Sequence, residues 1–403
     1  MQEGKVIMKK LGNFVLFIGF LTIILSFGIL SLLKTDRAIS PVENRQLAQK
    51  PALTKESIRT GSFFKDFEAY TNDQLIGRDE LIKNYTLAQI KMDKSLINDI
   101  ILTDDTWLLK NPAWTPKYKE IDQSMPAVKE LSQFLKEQNI EFYFALPPSK
   151  TNALSFKLPS HIHTYAKEDV NYFLDKLPPD VKPIKLMEHF EKQYTQQEIQ
   201  DMYFKTDHHW NMDGAFLGYQ YIMNTIKQES SIYKGKEVEK EDYTRTCAKN
   251  KNLIGSFNNQ LYQLIDATGE KLCYYTPKDG FHFTSVTAKD VNGTMYHSLD
   301  EIYGVEKQKD TTSYAGYYTN DYPEIVFENN DAPNDVHALI LKDSFANAIA
   351  PHLAQNFKRT SILDLRHYHE KDVYQYIKDN NINMVLFVYS DSNLSGEMFK
   401  FKQ

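Results

Sequence analysis

The fold of this chain is decided by residues 338–389, which read ALILKDSFANAIAPHLAQNFKRTSILDLRHYHEKDVYQYIKDNNINMVLFVY. Short apolar runs alternate here with longer amphipathic stretches, a pattern that predicts strands and helices in turn. The predicted strands are Ala338–Leu341, Ser361–Leu365 and Ile382–Tyr389, and the predicted helices are Phe345–Phe357 and Lys371–Asn380. Because the strands are continuously apolar, we expect them to be buried on both faces of a mostly parallel sheet with right-handed crossovers.

The same alternation occurs upstream, where helix Ala127–Gln138 is predicted to precede strand Ile140–Leu146. Helices that alternate with parallel strands cover both faces of the sheet, so the predicted fold class is α/β with three layers. Between about 230 and 335 the pattern breaks down, and Asn, Gly, Tyr and charged residues dominate. We interpret this range as an irregular insertion.

The composition narrows the classes of function. The chain has 403 residues, of which 42% are hydrophobic and 25% charged, as is usual for a globular protein of one large or two smaller domains. Its formal net charge is −6. A chain without a basic field is not expected to bind nucleic acid, so no nucleic-acid partner is predicted.

The N-terminal residues indicate a membrane segment. The uncharged run Phe14–Leu33 follows Lys5, Lys9 and Lys10. At about 1.5 Å per residue, this run spans the roughly 30 Å hydrocarbon core of a bilayer. The lysines favour an N-terminus inside the cell and a body outside it. A cleaved signal peptide is the alternative, although no Ala-x-Ala site follows the run.

The predicted organisation therefore has four parts. They are a cytoplasmic tail (1–10), a transmembrane anchor (11–34), a polar tether containing Pro41 and Pro51 (35–60), and a catalytic domain (61–403) that includes the insertion. Outside the cell, Cys247 and Cys273 could form a disulfide, and two buried free thiols are the alternative. Two cysteines without a histidine cluster do not make a zinc site.

Two short segments carry the candidate chemistry, namely Asp207-His208-His209-Trp210 and Lys342-Asp343-Ser344-Phe345. Ser344 follows a predicted strand and precedes a predicted helix, where reactive groups collect and where its own N–H could form half of an oxyanion hole. A serine needs a base to become nucleophilic, and an imidazole oriented by a carboxylate supplies one. Asp207 and His209 are two residues apart, so in an extended loop both side chains point to the same side. A Ser-His-Asp triad can occur in any chain order.

Other interpretations of these residues remain open at this point. Ser344 or Asp207 could cap a helix, and either histidine could be a surface residue. The Asp-His-His sequence could also ligate Mn or Zn, as in phosphoesterases that carry a DHH motif. Such sites need further Asp and His ligands, whereas the N-terminal part of this chain is an anchor and a tether. We therefore predict no metal and no cofactor.

The first segment resembles the namesake motif of the DHHW family, which is similar to the SGNH-like domain of the alginate O-acetyltransferases AlgX and AlgJ. The resemblance implies an SGNH-hydrolase-like three-layer domain in which Asp207 orients, His209 is the base and Ser344 is the nucleophile. His208 then occupies a variable position. Asp343-Ser344 also resembles the Gly-Asp-Ser block of SGNH hydrolases, with Lys342 in place of the glycine.

Three further segments resemble the same family. They are Glu43-Asn44-Arg45-Gln46-Leu47 with Pro51, the turn Pro147-Pro148-Ser149-Lys150, and Asp364-Leu365-Arg366 after the serine. SGNH enzymes also need a glycine and an asparagine in the site. The polar turn of Gly255, Ser256 and Asn258 offers candidates that could add oxyanion donors.

The remaining candidates have two interpretations each. Lys150 could bind an anionic sugar or be a solvated turn residue. Arg366 could hold a substrate carboxylate or form a structural ion pair. Trp210 and Asp343 are candidates because they belong to the two motifs.

The resemblance implies a membrane-anchored extracytoplasmic enzyme, either an O-acetyltransferase or an acetylesterase, that acts on a cell-surface or exported polysaccharide through an acyl-enzyme. Transfer is preferred over hydrolysis because the resemblance points to transferases. A multispanning membrane O-acyltransferase would then supply the acetyl group. The alternative is a non-catalytic polysaccharide-binding or assembly protein that uses the same fold.

Overall fold

The structure is a computed structural model that describes residues 2–40, 42, 43, 45–249, 251–307 and 309–402. Pro41 of the predicted tether and Asn44 of the family-like N-terminal segment lie outside the described residues. The chain forms two compact units. The N-terminal unit comprises residues up to Lys94 together with Asn259–Leu264, and the sheet unit comprises Ser95–Asn258 and Ile265–Gln403. The first boundary between the two units along the chain therefore follows Lys94.

The N-terminal unit is mainly helical. Its elements are α1 (Gln2–Leu33), β1 (Ile39–Ser40), β2 (Arg45–Gln46), α2 (Lys55–Thr60), α3 (Ser62–Gln74) and α4 (Arg78–Lys91). Within α1, Lys10–Leu33 has a mean hydropathy of 2.6 and is long and apolar enough to cross a membrane. The last turn of α1 also contacts the rest of this unit, because the Ile76 N–H donates to Ser31 Oγ at 2.9 Å.

The range 35–60, predicted as a tether, contains ordered structure. Strands β1 and β2 pair with each other, and Thr54 and Ser57 form a capping box that starts α2. Arg45 pairs with Asp73 at 2.6 Å, and the Leu47 side chain is buried. The Arg45–Asp73 pair attaches the segment to α3. Polar residues in this range therefore form ion pairs and helix caps.

The sheet unit alternates strands and helices along the chain. Its strands are β3 (Leu96–Ile97), β4 (Ile100–Leu102), β5 (Leu108–Lys110), β6 (Glu141–Ala145), β7 (Val181–Ile184), β8 (Tyr243–Cys247), β9 (Asn252–Leu253), β10 (Cys273–Pro277), β11 (Ser285–Lys289), β12 (Met295–Tyr296), β13 (Thr311–Thr312), β14 (Glu324–Glu328), β15 (His337–Lys342), β16 (Arg359–Leu363) and β17 (Met384–Val388).

The helices of this unit vary widely in length. They are α5 (Tyr118–Glu137), α6 (Lys150–Ala153), α7 (Ala166–Lys176), α8 (Leu186–Gln193), α9 (Gln196–Asp201), α10 (Met212–Glu229), α11 (Ser256–Gln260), α12 (Leu299–Ile302), α13 (Tyr314–Tyr317), α14 (Ala350–Ala354) and α15 (Val373–Asp379). Short 3₁₀ segments occur at Ser155–Lys157, Lys240–Asp242, Ser344–Ile349 and Glu397–Phe399.

The main sheet has eight strands in the order β12-β11-β14-β16-β15-β17-β6-β7. All neighbours from β16 to β7 are parallel, and the pairs β14–β16, β11–β14 and β11–β12 are antiparallel. The central strand β15 directs Ala338 and Ile340 into one apolar core and Leu339 and Leu341 into the other. Both faces are therefore covered, and the predicted SGNH-like α/β fold with a mostly parallel sheet is confirmed.

The range 230–335 is more regular than the predicted irregular insertion, because it supplies three strands of the main sheet, β11, β12 and β14. In β14 only the alternate residues Ile325 and Phe327 are buried, and in β11 only Val286 and Ala288. Such half-buried antiparallel strands alternate apolar and polar residues and contain no continuous apolar run. The sequence nevertheless predicts a short strand-like piece at Glu324–Phe327, which corresponds to β14.

Two predicted helices that lie near prolines have different bounds in the structure. Helix α5 was predicted to start after Pro126, but it begins at Tyr118 and includes that proline. Ile121 and Met125 are buried, so they extend its apolar face upstream of the predicted start. Predicted helix Phe345–Phe357 is a 3₁₀ segment, Ser344–Ile349, followed by α14, with Pro351 in the first turn of α14. Pro351 has no N–H for the Asn347 carbonyl, which accepts the Thr319 hydroxyl instead at 3.0 Å.

Cys247 and Cys273 are direct partners across β8 and β10, and they form a disulfide. Pairing is therefore the alternative that the structure adopts. The bond closes a loop between cysteines 26 positions apart in sequence. Such a bond is expected in an oxidising compartment, which agrees with a body outside the cytoplasm.

Replacement of both cysteines by alanine should lower the free energy of unfolding by about 3 kcal/mol, because a loop of this size regains its entropy in the unfolded chain. Urea unfolding with and without dithiothreitol measures the effect. The reductant should destabilise the parent protein and leave the double variant unchanged. Equal stability of the parent and the double variant would contradict a structural role for the bond.

Candidate active site

The structure brings the three predicted catalytic side chains into one hydrogen-bonded chain. His209 Nε2 lies 2.8 Å from Ser344 Oγ, and His209 Nδ1 lies 2.7 Å from Asp207 Oδ1. An ionised carboxylate only accepts, so the His209 Nδ1 must carry a proton and the Nε2 can accept the serine proton. This arrangement has the geometry that a base-activated serine nucleophile requires.

Local structure accounts for the placement of each group. Ser344 directly follows β15 and Asp343, whose carboxylate caps the 3₁₀ segment by accepting the Phe345 N–H at 2.9 Å. Asp207 and His209 lie in the loop before α10, which is closed by a bridge between Tyr203 and Trp210. The loop thus ends one residue before Asn211, the cap of α10.

Asp207 is fully engaged on both carboxylate oxygens. Oδ1 also accepts the backbone N–H of His209 at 3.0 Å, and Oδ2 accepts the Ser256 N–H at 2.7 Å. Burial alone would raise the pKa of Asp207, but the His209 and His208 rings and these hydrogen bonds lower it well below its usual range. The carboxylate therefore stays ionised and can stabilise an imidazolium on His209.

Two aromatic side chains align the base with the nucleophile. The Tyr314 ring stacks on the His209 ring, with centroids 3.7 Å apart and an interplanar angle of 8°. The Trp210 indole donates to the Phe345 carbonyl at 2.9 Å, which joins the histidine loop to the serine segment. Trp210 is fully buried against α10, where a Cβ at Gly218 would lie 2.8 Å from its ring. The glycine therefore makes room for the indole.

Comparison with known proteins agrees with this geometry. A family model described as SGNH hydrolase-like domain, acetyltransferase AlgX, matches residues 100–297. PatB1 of Bacillus cereus is 82% identical to this chain, with a TM-score of 0.73, over 75% of this chain and 99% of its own length. This chain belongs to the SGNH hydrolase-like acetyltransferase family.

Two further solved structures are similar to this chain. PatB1 with a sulfonyl adduct is 80% identical, with a TM-score of 0.72, over 76% of this chain and 99% of its own length. A DHHW family protein from Eubacterium siraeum shares the fold at 19% identity and a TM-score of 0.54, over 75% of this chain and 94% of its own. The predicted similarity to the SGNH-like domain of AlgX is confirmed by the family model, and the DHHW family protein shares the fold. No curated protein matches the chain.

His208 lies against the relay, with its ring centroid 3.7 Å from that of His209, but it hydrogen-bonds Ser256 instead. Its Nδ1 lies 2.6 Å from Ser256 Oγ, and its side chain is 39% exposed. Desolvation and the adjacent His209 lower the pKa of His208, so its ring is neutral at physiological pH. The variable position of the family motif is therefore a neutral ring that lines the adjoining cleft.

Lys342, at the glycine position of the SGNH block, lies in a buried charge cluster next to the nucleophile. Its Nζ contacts Asp364 at 2.9 Å, Asp321 at 3.0 Å and the Asn347 side-chain oxygen at 2.8 Å. Arg366 completes the cluster, with Asp364 at 2.5 Å and Asp321 at 3.2 Å. Arg366 thus forms the structural ion pair of the two predicted alternatives.

Lys150 differs from both of its predicted roles, because it is neither a sugar ligand nor solvated. It is 1% exposed, and its Nζ donates to the carbonyls of Lys205 and Asp207 at 2.8 and 2.9 Å. Burial lowers the pKa of Lys150 to about 7, although nearby Glu270 and Asp207 oppose this shift. The lysine therefore holds the loop that carries the triad carboxylate.

Gly255 and Asn258 support the same loop and do not face the reaction as oxyanion donors. A Cβ at Gly255 would lie 2.4 Å from the Thr206 carbonyl, so only glycine lets this turn approach closely enough for Ser256 to reach Asp207. The Asn258 side chain bonds the N–H and the carbonyl of Ile265 at 3.0 and 2.7 Å. Its amide is therefore committed to shaping the loop.

Two groups of side chains have ligand atoms close enough to share a cation, namely Asp207 with His208 and His209, and Asp321 with Asp364 and His367. In the first group both ring nitrogens of His209 are engaged, one with Asp207 and one with Ser344. A metal there would have to displace the proton between Asp207 and His209. In the second group, Lys342 and Arg366 already neutralise the two carboxylates.

Sequence reasoning missed Tyr314, which stacks on His209, and it placed Ser256 in the polar turn without predicting its contact with Asp207. Tyr314 stands far from either motif in a region without a clear pattern, so no signal pointed to it. Ser256 follows the candidate Gly255, and its backbone N–H, which carries no sequence information, makes the decisive contact.

Replacement of Lys342 by methionine should destabilise the protein by about 3 kcal/mol at pH 7, because Asp321 and Asp364 lose one of their two cations and keep only Arg366. Burial alone would raise the pKa of Asp321 and of Asp364, whereas Lys342 and Arg366 lower both overall. Because the pKa values of these two carboxylates are lower in the folded than in the unfolded protein, their ion pairs stabilise the fold fully above the unfolded pKa of about 4. This stabilisation is lost as the pH falls from there through the folded pKa values. The loss in the variant should therefore shrink on acidification.

Urea unfolding of both proteins at pH 7 and at about pH 2, well below the unfolded pKa of about 4, measures this difference. Lys358→Met is the matched control, because Lys358 pairs with the exposed Asp335 at the surface and should cost less than about 1 kcal/mol. A loss in Lys342→Met that is equally large at both pH values would contradict the ion-pair explanation.

Proposed function

We propose that this protein is a membrane-anchored extracytoplasmic O-acetyltransferase that modifies a cell-surface or exported polysaccharide through Ser344, His209 and Asp207. The observation that carries the proposal is the continuous hydrogen-bonded chain from Asp207 through His209 to the Ser344 hydroxyl, with links of 2.7 and 2.8 Å. Membership of an acetyltransferase family supports the class of reaction.

In the first half of the reaction, Ser344 Oγ attacks the carbonyl carbon of an acetyl donor. His209 Nε2 takes the hydroxyl proton, and Asp207 stabilises the resulting imidazolium. Ser344 is the first residue of its 3₁₀ segment, so its N–H is not used within that segment and can donate to the oxyanion. Collapse of the tetrahedral intermediate expels the donor's leaving group, which receives the proton from His209.

In the second half, a sugar hydroxyl attacks the acetyl-serine. His209 removes the hydroxyl proton and returns it to Ser344 Oγ as the ester bond to the enzyme breaks. The products are an O-acetylated sugar and free enzyme. Attack by water would release acetate instead, so transfer requires that the acceptor be bound next to the acyl-enzyme. A multispanning membrane O-acyltransferase is the proposed source of acetyl groups outside the cell.

Ser344→Ala should reduce turnover of an acetyl ester by at least about 10³-fold, because removal of the nucleophile removes the acyl-enzyme pathway. A sulfonyl fluoride should label the parent protein at Ser344, as PatB1 is known with a sulfonyl adduct. Intact-mass spectrometry followed by peptide mapping locates the label. Ser285→Ala, an exposed serine on β11, is the matched control and should keep both turnover and labelling.

His209→Ala should slow the labelling strongly while Ser344 itself remains. Labelling at another serine, or acetyl-ester turnover that survives in Ser344→Ala, would overturn the assignment. The second outcome would favour a polysaccharide-binding protein with a relict site.

The membrane part of the proposal rests on α1. Among the described residues, Lys10–Leu33 is the one helix apolar and long enough to cross a bilayer, and its window is not buried by other parts of the protein. An apolar surface of this length that no protein covers is stable in lipid. The contact of Ser31 with Ile76 joins the end of this helix to the N-terminal unit and favours an uncleaved anchor over a signal peptide.

The full chain should sediment with membranes and require detergent for release, whereas a chain that begins at Asp36 should be soluble. The intact mass of the membrane-derived protein should include the apolar helix. Recovery of a shortened chain from the medium would identify α1 as a cleaved signal.

A further inference from the structure

A loop that the disulfide closes is bonded to the segment that carries Asp207. We call residues 248–272, between the two cysteines, the disulfide loop. Its parts 251–258 and 265–272 belong to the sheet unit, as does the segment 205–209. The contacts between these parts and that segment therefore lie within one compact unit.

Thr206, directly before the triad carboxylate, is bonded to the disulfide loop through all of its polar groups. The residue is buried, its N–H donates to Glu270 Oε1 at 3.1 Å, and its hydroxyl donates to Glu270 Oε2. Its carbonyl accepts the Asn258 N–H at 3.1 Å. Both backbone groups and the hydroxyl of Thr206 thus have partners in this loop.

The residues on either side of Thr206 are held as well. Lys150 Nζ donates to the carbonyls of Lys205 and Asp207, at 2.8 and 2.9 Å. The Ser256 N–H, from the disulfide loop, donates to Asp207 Oδ2 at 2.7 Å. The direction of the Asp207 carboxylate is therefore set by contacts that lie outside the triad.

Within this arrangement, Glu270 supplies the acceptor for both donors of Thr206. A buried N–H or hydroxyl that loses its acceptor costs free energy, which the chain can recover only by moving the group to another partner. Burial raises the pKa of Glu270, whereas the hydrogen bonds from Thr206 and the charge of Lys150 oppose that shift. These contacts favour the ionised carboxylate, which accepts more strongly than a neutral carboxyl group does.

The disulfide loop contains a second carboxylate with the same bonding pattern and a different position. Asp266 accepts the Thr268 N–H at 2.9 Å and the Thr268 hydroxyl at 2.8 Å. Both residues are exposed and only two positions apart, so this pair is a local turn. Glu270 instead binds a residue 64 positions earlier in the chain, next to the triad carboxylate.

We propose that Glu270 is a positioning residue of the triad, because its two hydrogen bonds to Thr206 fix the backbone that directs the Asp207 carboxylate to His209. The proposal deepens the proposed function and rests on it for the role of the triad. Glu270 acts through Thr206 and not on the substrate. When Glu270 is lost, Thr206 moves, Asp207 orients His209 less well, and the base removes the Ser344 proton more slowly.

The test measures the rate of sulfonyl fluoride labelling at Ser344 in the full chain in detergent. Glu270→Ala should slow labelling at least about 10-fold, since a displacement of about 1 Å can cost about 100-fold. Glu270→Gln should keep the rate within about 3-fold of the parent, because its amide can accept the Thr206 N–H and donate to the hydroxyl oxygen. Asp266→Ala, the matched control, should label at the parent rate.

Proton NMR separates positioning from a general loss of stability. The proton between His209 Nδ1 and Asp207 Oδ1 should give a low-field resonance that is absent from His209→Ala. This resonance should shift or broaden in Glu270→Ala and be retained in Glu270→Gln. Urea unfolding identifies the conditions in which each variant is folded. A merely structural role would lower the free energy of unfolding and leave the rate and the resonance of the folded protein unchanged.

Thr206→Val is the second variant and serves if Glu270→Ala does not fold, because it removes only the hydroxyl donor. It should slow labelling several-fold and shift the same resonance. A parent-like rate and resonance in folded Glu270→Ala or Thr206→Val, or equal slowing in Glu270→Gln and Glu270→Ala, would overturn the proposal. A parent protein that does not label at Ser344 would overturn the proposed function itself, so the two failures are distinguishable.

Discussion

The hydrogen bond from the Trp210 indole to the Phe345 carbonyl is the constraint on which the active site depends. It joins two segments 135 positions apart in the chain, one that carries His209 and one that carries Ser344, at a distance of 2.9 Å. Trp210 is buried and cannot donate to water, so loss of this acceptor would leave an unsatisfied polar group in the core. The 2.8 Å contact of His209 with Ser344 therefore rests on an interaction that also stabilises the fold.

Buried charge surrounds this contact and is balanced locally. Lys342 and Arg366 neutralise Asp321 and Asp364 next to the serine segment, and Lys150 supports the Asp207 loop through two carbonyls. Polar groups that are both buried and partnered hold a loop in one conformation more strictly than apolar contacts do. We infer that the site is preorganised, because a triad must hold its geometry before the substrate arrives.

The parts of the fold that were predicted from sequence are those that a local pattern determines. Strands β15 and β17 contain continuous apolar runs, as strands covered on both faces do, and that pattern was visible directly. Strand β16 begins with Arg359, Thr360 and Ser361, and the prediction placed it two residues late, at Ser361–Leu365. Strands β11 and β14 are buried on one face only, and their polar alternate residues resembled an irregular insertion. The position of Ser344 after a strand, and the two-residue spacing of Asp207 and His209, were likewise local features.

The supporting residues depend on contacts between distant segments and could not be inferred in this way. Lys150 has the sequence context of a solvated turn, yet the carbonyls of the Asp207 loop surround its ammonium group. Lys342 stands where the Gly-Asp-Ser block of SGNH hydrolases has its glycine, and only the fold brings Asp321 and Asp364 next to it. Tyr314 is one of 25 tyrosines, and nothing local distinguishes the one that stacks on the base.

The close approach of the Trp210 ring to Gly218 limits which residues can occupy position 218. A methyl group there would meet the Trp210 ring at 2.8 Å, so even the smallest side chain would displace the indole. A position on a helix, with no chemistry of its own, is thereby restricted to glycine. A larger residue there would push on the indole and, through its bond to the Phe345 carbonyl, on the segment that carries Ser344.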